Sequence, residues 1–138
     1  MYLVTSLGRL RHSRNEETGT FKLIVEIDPQ IAAYARALIP KYYVARPQKY
    51  SPHITVIRNE FVKDVTNWGN RDLEQVSFQY SPVVQRDHVY YWLNVYCDEL
   101  TEIRISYGLP ASYRLRRPPS GEDCYHCTIA NQKKLEQT

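Results

Sequence analysis

The chain has 138 residues, 43% of them hydrophobic, and carries 18 basic against 15 acidic side chains for a formal charge of +3. That length and composition predict one domain spanning 1–138 with a single core. The near-balanced charge excludes a protein that coats duplex nucleic acid, so any attraction for an anion must come from a local cluster.

In chain order, the segment Met1 to Thr5 is too short for the hydrophobic region of a signal peptide, and no stretch reaches the ~18 apolar residues a membrane span requires. A soluble, cytoplasmic protein with no membrane partner is the expectation. Three cysteines, an odd number, give no disulfide framework, in keeping with a reducing compartment. Phe21 to Ile27 has strand composition, and Asp28-Pro29 supplies an N-cap and a first-turn proline for a helix running from Ile31 to Leu38. Its apolar face is expected to comprise Ile31, Ala35, Leu38 and Ile39, and Pro40 stops it.

A loop from Lys41 to Pro52 leads into a β-branched strand beginning His53-Ile54-Thr55-Val56-Ile57. Trp68-Gly69-Asn70 reads as a turn. Strands follow at Val76 to Tyr80 and His88 to Tyr96, then a helix from Asp98 to Tyr107 closed by Gly108 and Pro110. The last strand is His126-Cys127-Thr128-Ile129-Ala130. Strand, helix, strand therefore occurs twice, each time ending in His-x-Thr.

Histidine occurs only at 12, 53, 88 and 126, and with eight threonines in 138 residues a threonine two places after any given histidine is a coincidence of about 6%. Here it happens twice. Strand side chains alternate faces, so His53 and Thr55 share one face, as do His126 and Thr128. A lone His-x-Thr is ordinarily just the polar face of an amphipathic strand. A pair suits phosphodiester cleavage, which needs a base for the attacking oxygen and an acid for the leaving oxygen; histidine serves as either near neutrality. The threonine hydroxyls would donate to non-bridging phosphate oxygens.

Other residues have plainer alternatives. Trp68, Trp92 and Tyr91 are candidates for stacking on bases, but aromatics in a strand more often fill a core. Arg117, with Arg114 and Arg116, precedes His126 and has the forked geometry to hold a phosphate, or simply solvates a loop. Cys124 and Cys127 form a CxxC around the second motif. With no second paired spacing it is a weak zinc signal, and Cys127 next to His126 should point away from it into the core, so no metal or other cofactor is expected.

The two motifs, with the order of elements around them, resemble the 2H phosphoesterase superfamily over nearly the whole chain. That resemblance implies an α+β fold of two lobes, with two antiparallel sheets facing across a central cleft and flanking helices. It also implies metal-independent catalysis in which His53 and His126 are acid and base and Thr55 and Thr128 are phosphate ligands. Leu38-Ile39-Pro40-Lys41-Tyr42-Tyr43, Pro52-His53-Ile54-Thr55-Val56-Ile57-Arg58-Asn59-Glu60 and Tyr91-Trp92-Leu93-Asn94-Val95 are similar to the anti-CBASS phosphodiesterases of T-even-type bacteriophages. The substrate implied is a cyclic di- or trinucleotide immune signal. The alternatives are a 2′,3′-cyclic or 2′-5′ oligonucleotide phosphodiesterase in RNA processing, and a non-catalytic sponge for a cyclic nucleotide. A sponge needs neither acid nor base, and both motifs here are intact.

Overall fold

A computed structural model describes residues 2–111 and 124–132, so Arg114, Arg116 and Arg117 lie outside the described residues. The elements run β1 (Val4–Arg14), β2 (Phe21–Glu26), α1 (Pro29–Ala37), β3 (His53–Glu60), β4 (Gln75–Tyr80), β5 (Gln85–Asp87), β6 (Tyr90–Tyr96), α2 (Asp98–Ser106) and β7 (Tyr125–Asn131). The protein is thus mixed α and β, mostly sheet.

The strand order is β4-β1-β2-β3-β7-β6-β5, and β4 also pairs with β6. Six antiparallel strands therefore close into a barrel, with β5 attached to β6 as a short outer strand. This corrects the expectation of two separate sheets across a cleft. The closure is narrow at two places. β3 meets β7 in register at one pair, Ile54 opposite Cys127, and β4 meets β6 only at Gln79–Tyr96 and Tyr80–Val95.

Strand β1 supplies what the sequence reading did not anticipate. Its sequence, VTSLGRLRHSR, mixes glycine, serine and basic residues, so its alternation is weak, yet it pairs with β2 along one edge and β4 along the other. Gly8 is required there: a Cβ would lie 2.3 Å from Val25 Cγ1 and 2.8 Å from the Glu26 carbonyl oxygen. The expected long strand from His88 is also revised. His88 and Val89 form the turn of a hairpin whose arms pair Asp87 with Tyr90, and His88 takes a left-handed φ of 51°.

One face of the sheet is apolar. Leu10, Val25, Ile54, Val56, Leu93, Val95, Cys127 and Ile129 are almost wholly buried there, in one core with Ala32 and Ala35 of α1 and Leu100 and Ile103 of α2. Asp28 caps α1 by accepting from the Gln30 N–H at 2.9 Å. Leu38, expected on the buried face, is instead 57% exposed because the helix rests on its small alanines.

Two arginines tie the helices to the sheet. Arg36 donates to the Ile129 carbonyl at 3.0 Å. Arg104 is fully buried, donates to the Val56 carbonyl and to Pro110, and forks onto Glu60 at 2.7 and 3.0 Å. Removing one partner of such a pair strands a buried charge. Arg104→Ala is expected to cost about 3–5 kcal/mol, read as a lowered urea midpoint; a change under about 1 kcal/mol would mean the pair does not anchor α2.

Candidate functional site

The Ile54–Cys127 pairing fixes the arrangement of both motifs. Ile54 and Cys127 are buried on the apolar face, so the residues on either side of each project from the other face. Stepping one residue along the antiparallel strands sets His53 across from Thr128 and Thr55 across from His126. Directly opposed residues have Cβ atoms about 4.5–5.5 Å apart and diagonal ones about 7–8 Å. All four side chains are half-buried.

The outer neighbours in the same rows come from the registers of β2 and β6. Glu26 is opposite His53 and Ile24 is opposite Thr55. On the other side Asn94 is opposite His126 and Trp92 is opposite Thr128.

Each histidine is held differently. His53 Nδ1 lies 2.9 Å from the Ser51 carbonyl oxygen. A carbonyl only accepts, so Nδ1 carries the proton and Nε2 is left to exchange one. The loop bearing Ser51 is itself anchored. Arg46 makes a two-way backbone bridge to Asn131 at 2.8 and 2.9 Å, Gln48 accepts from the Asn131 side chain at 2.6 Å, and Gln132 donates to the Tyr43 carbonyl.

His126 sits against Trp92, with ring centroids 5.5 Å apart. Its Nε2 is buried and has no hydrogen-bond partner among the described residues. Burial holds its pKa below the ordinary 6.5, so it is neutral at pH 7. The hydroxyls of Thr55 and Thr128 make no hydrogen bond to another described residue, which leaves both able to serve a ligand.

The aromatic candidates separate. Trp92 is 7% exposed and donates its indole N–H to Asn94 Oδ1 at 3.0 Å, so it forms a wall behind His126 and offers little open face for a base. Tyr91 is buried in the core, with Arg86 over its ring. Trp68 packs elsewhere, among His12, Phe21 and Tyr107. That cluster was not read from the sequence. His12 lies between the Asp72 carboxylate, 3.3 Å from Nδ1, and the Tyr107 hydroxyl, 3.3 Å from Nε2, and burial lowers its pKa too.

Cys127 faces the core, as alternation requires, and burial pushes its thiol up to about 12. A thiol so reluctant to ionise is a poor zinc ligand. Among the described residues no three His, Cys, Asp or Glu side chains converge on a metal position. Nor is any helix there long and apolar enough to cross a membrane.

Comparison of the chain with protein-family models, with curated proteins and with solved structures gives no match.

The lowered pKa values of His12 and His126 have a sign for stability. Between each folded value and the unfolded 6.5, the unfolded chain binds more protons than the folded one, so stability rises with pH. Their contribution is present above pH 6.5 and is lost as pH falls through the folded values. Urea midpoints should therefore drop from pH 7.5 to 5.5, and the drop should be smaller in His126→Gln. An equal slope in the variant would show that His126 does not titrate differently on unfolding.

Proposed function

We propose that the protein is a metal-independent phosphodiesterase of the 2H type, acting on cyclic di- or trinucleotides in the cytoplasm of a bacterial host. The observation that carries this reading is the antiparallel register of the two His-x-Thr strands. It puts two histidines and two hydroxyls on one face in adjacent rows, close enough for a single phosphate to reach them. The halves β2-α1-β3 and β6-α2-β7 are read as the two lobes, joined through β3 and β7.

The surroundings divide the labour. His126, kept neutral by burial against Trp92, is the general base, and its unpartnered Nε2 accepts a proton. His53, its Nδ1–H held by Ser51, presents Nε2 as the acid for the leaving oxygen. Thr55 and Thr128 donate to the non-bridging oxygens as charge builds on them.

For a 3′-5′ linkage the adjacent ribose 2′-hydroxyl already lies close to phosphorus and is the better placed nucleophile. His126 takes its proton, the 2′-oxygen bonds to phosphorus, the bond to the 5′-oxygen breaks, and His53, entering with protons on both ring nitrogens, passes the one on Nε2 to that oxygen. The products are a 2′,3′-cyclic phosphate and a free 5′-hydroxyl.

His53→Ala and His126→Ala are each expected to lower turnover of a cyclic dinucleotide at least ~10²-fold while the fold, followed by circular dichroism, survives. Near wild-type turnover in either folded variant would remove the two-histidine mechanism. In the wild type, kcat/KM should fall on the acid side with a midpoint below 6.5, because His126 must be unprotonated. A midpoint above 6.5 would reassign the base.

A 2′-deoxy analogue of the cyclic substrate should bind and stay intact. If it is cut at a similar rate, or if oxygen-18 from water enters a 5′-phosphate product, water is the nucleophile instead.

A further inference from the structure

The face that carries the two motifs continues across β2 to β1, and there it changes from polar to basic. Arg11 is opposite Ile24, which is opposite Thr55, so these three lie in one row with Arg11 two strands from the motif. At about 4.8 Å per strand that is roughly 10 Å. Lys22, two residues from Ile24, points to the same face. A bulge at Val56 changes the parity of β3: Leu23 is opposite Ile57, and Val56 and Ile57 are both buried. Ile57 faces the core opposite Leu23, so its neighbour Arg58 turns to the face of Thr55, just ahead of a second register shift that sets Glu60 opposite Phe21.

Arg11, Lys22 and Arg58 are exposed. Within β1, β2 and β3 the carboxylates are Glu26 and Glu60. Glu60 is committed to Arg104, and Glu26 reaches Arg11 only at 3.6 Å, with both side chains about half exposed. Such a pair is worth little, so it leaves most of the positive field intact. Ile24, half-buried, gives an apolar floor between the basic group and Thr55.

From this placement we infer that Arg11, Lys22 and Arg58 form a second phosphate subsite, so that the ligand is an oligonucleotide with at least two phosphodiesters rather than a cyclic mononucleotide. One phosphodiester sits at the paired motifs, the sugar crosses Ile24, and the next phosphate meets the three cations. The inference rests on the proposed function for the position of the first phosphate. It deepens that reading by naming the residues that hold the second phosphate, and a 2′,3′-cyclic mononucleotide has nothing to place at that subsite.

The test is the triple variant Arg11→Gln, Lys22→Gln, Arg58→Gln, whose changes lie at exposed positions. With a 3′,3′-cyclic dinucleotide its KM should rise at least about 10-fold with kcat nearly unchanged, while the affinity for a 2′,3′-cyclic mononucleotide, which resembles the product end, stays as in the wild type. No change in KM, or an equal loss of affinity for the mononucleotide, overturns the subsite. Binding separates this from catalysis. In the His53→Ala, His126→Ala background, calorimetry of the cyclic dinucleotide should show an affinity loss of at least about 10-fold from the three substitutions. The slope of log K against log salt should become shallower by about 2. If the wild type does not turn over the cyclic dinucleotide but this difference in binding persists, the subsite stands and the catalytic reading falls. Equal binding with and without the three cations overturns the subsite whatever the turnover.

Discussion

Everything about the site depends on how β3 and β7 meet. The strands are joined in register at Ile54 and Cys127 alone, and a slip of one residue would turn every side chain of one strand to the other face. The buried character of Ile54, Val56, Cys127 and Ile129 prevents that slip, since each would have to leave a core in which it is almost inaccessible to water. Burying such side chains stabilises by about 1.5–3 kcal/mol apiece. The apolar residue between histidine and threonine in each motif is therefore what aligns the polar residues on either side of it.

The two motif strands run antiparallel through that central pair, but their neighbours differ. Glu26 stands opposite His53 where Asn94 stands opposite His126, and Ile24 stands opposite Thr55 where Trp92 stands opposite Thr128. Trp92 and Asn94 are both buried and hydrogen-bonded to each other, whereas the Glu26 side chain is half exposed. Like positions on two antiparallel strands thus set the two histidines in unlike environments. An acid and a base built from the same residue type require such a difference.

Much of this was legible in the sequence because it is local. Period-two alternation placed His53 with Thr55 and His126 with Thr128, and set Cys127 apart from them, and the caps Asp28 and Gly108 marked helix ends that the structure keeps. What failed was non-local or depended on competition between neighbours. Closure of the barrel rests on pairing of β4 with β1 and β6, strands distant in sequence, and nothing in the β1 pattern announces it. The hairpin at His88 lacks the glycine that usually marks a left-handed turn. Trp68, Tyr91 and Trp92 are similar as letters, yet one packs beside His12, one joins the core and one backs a motif histidine. Only their partners distinguish them.

Among the described residues His126 Nε2 has no partner, and a buried polar atom left without a hydrogen bond loses about 1–3 kcal/mol relative to water. Stability alone would favour an apolar residue at that position, facing Trp92 as it does. The neighbouring features share this bias. Thr55 and Thr128 leave their hydroxyls unengaged by described residues, and on β1 and β2 the exposed Arg11 has only a loose, half-exposed ion pair with Glu26. Each of these departures would be relieved by an anionic group carrying a transferable proton or a hydroxyl nearby, and all lie on one face. A polar face selected only for solubility would scatter such departures and pair its charges. Their concentration around Ile54 and Cys127 is what the proposed phosphoester ligand would account for.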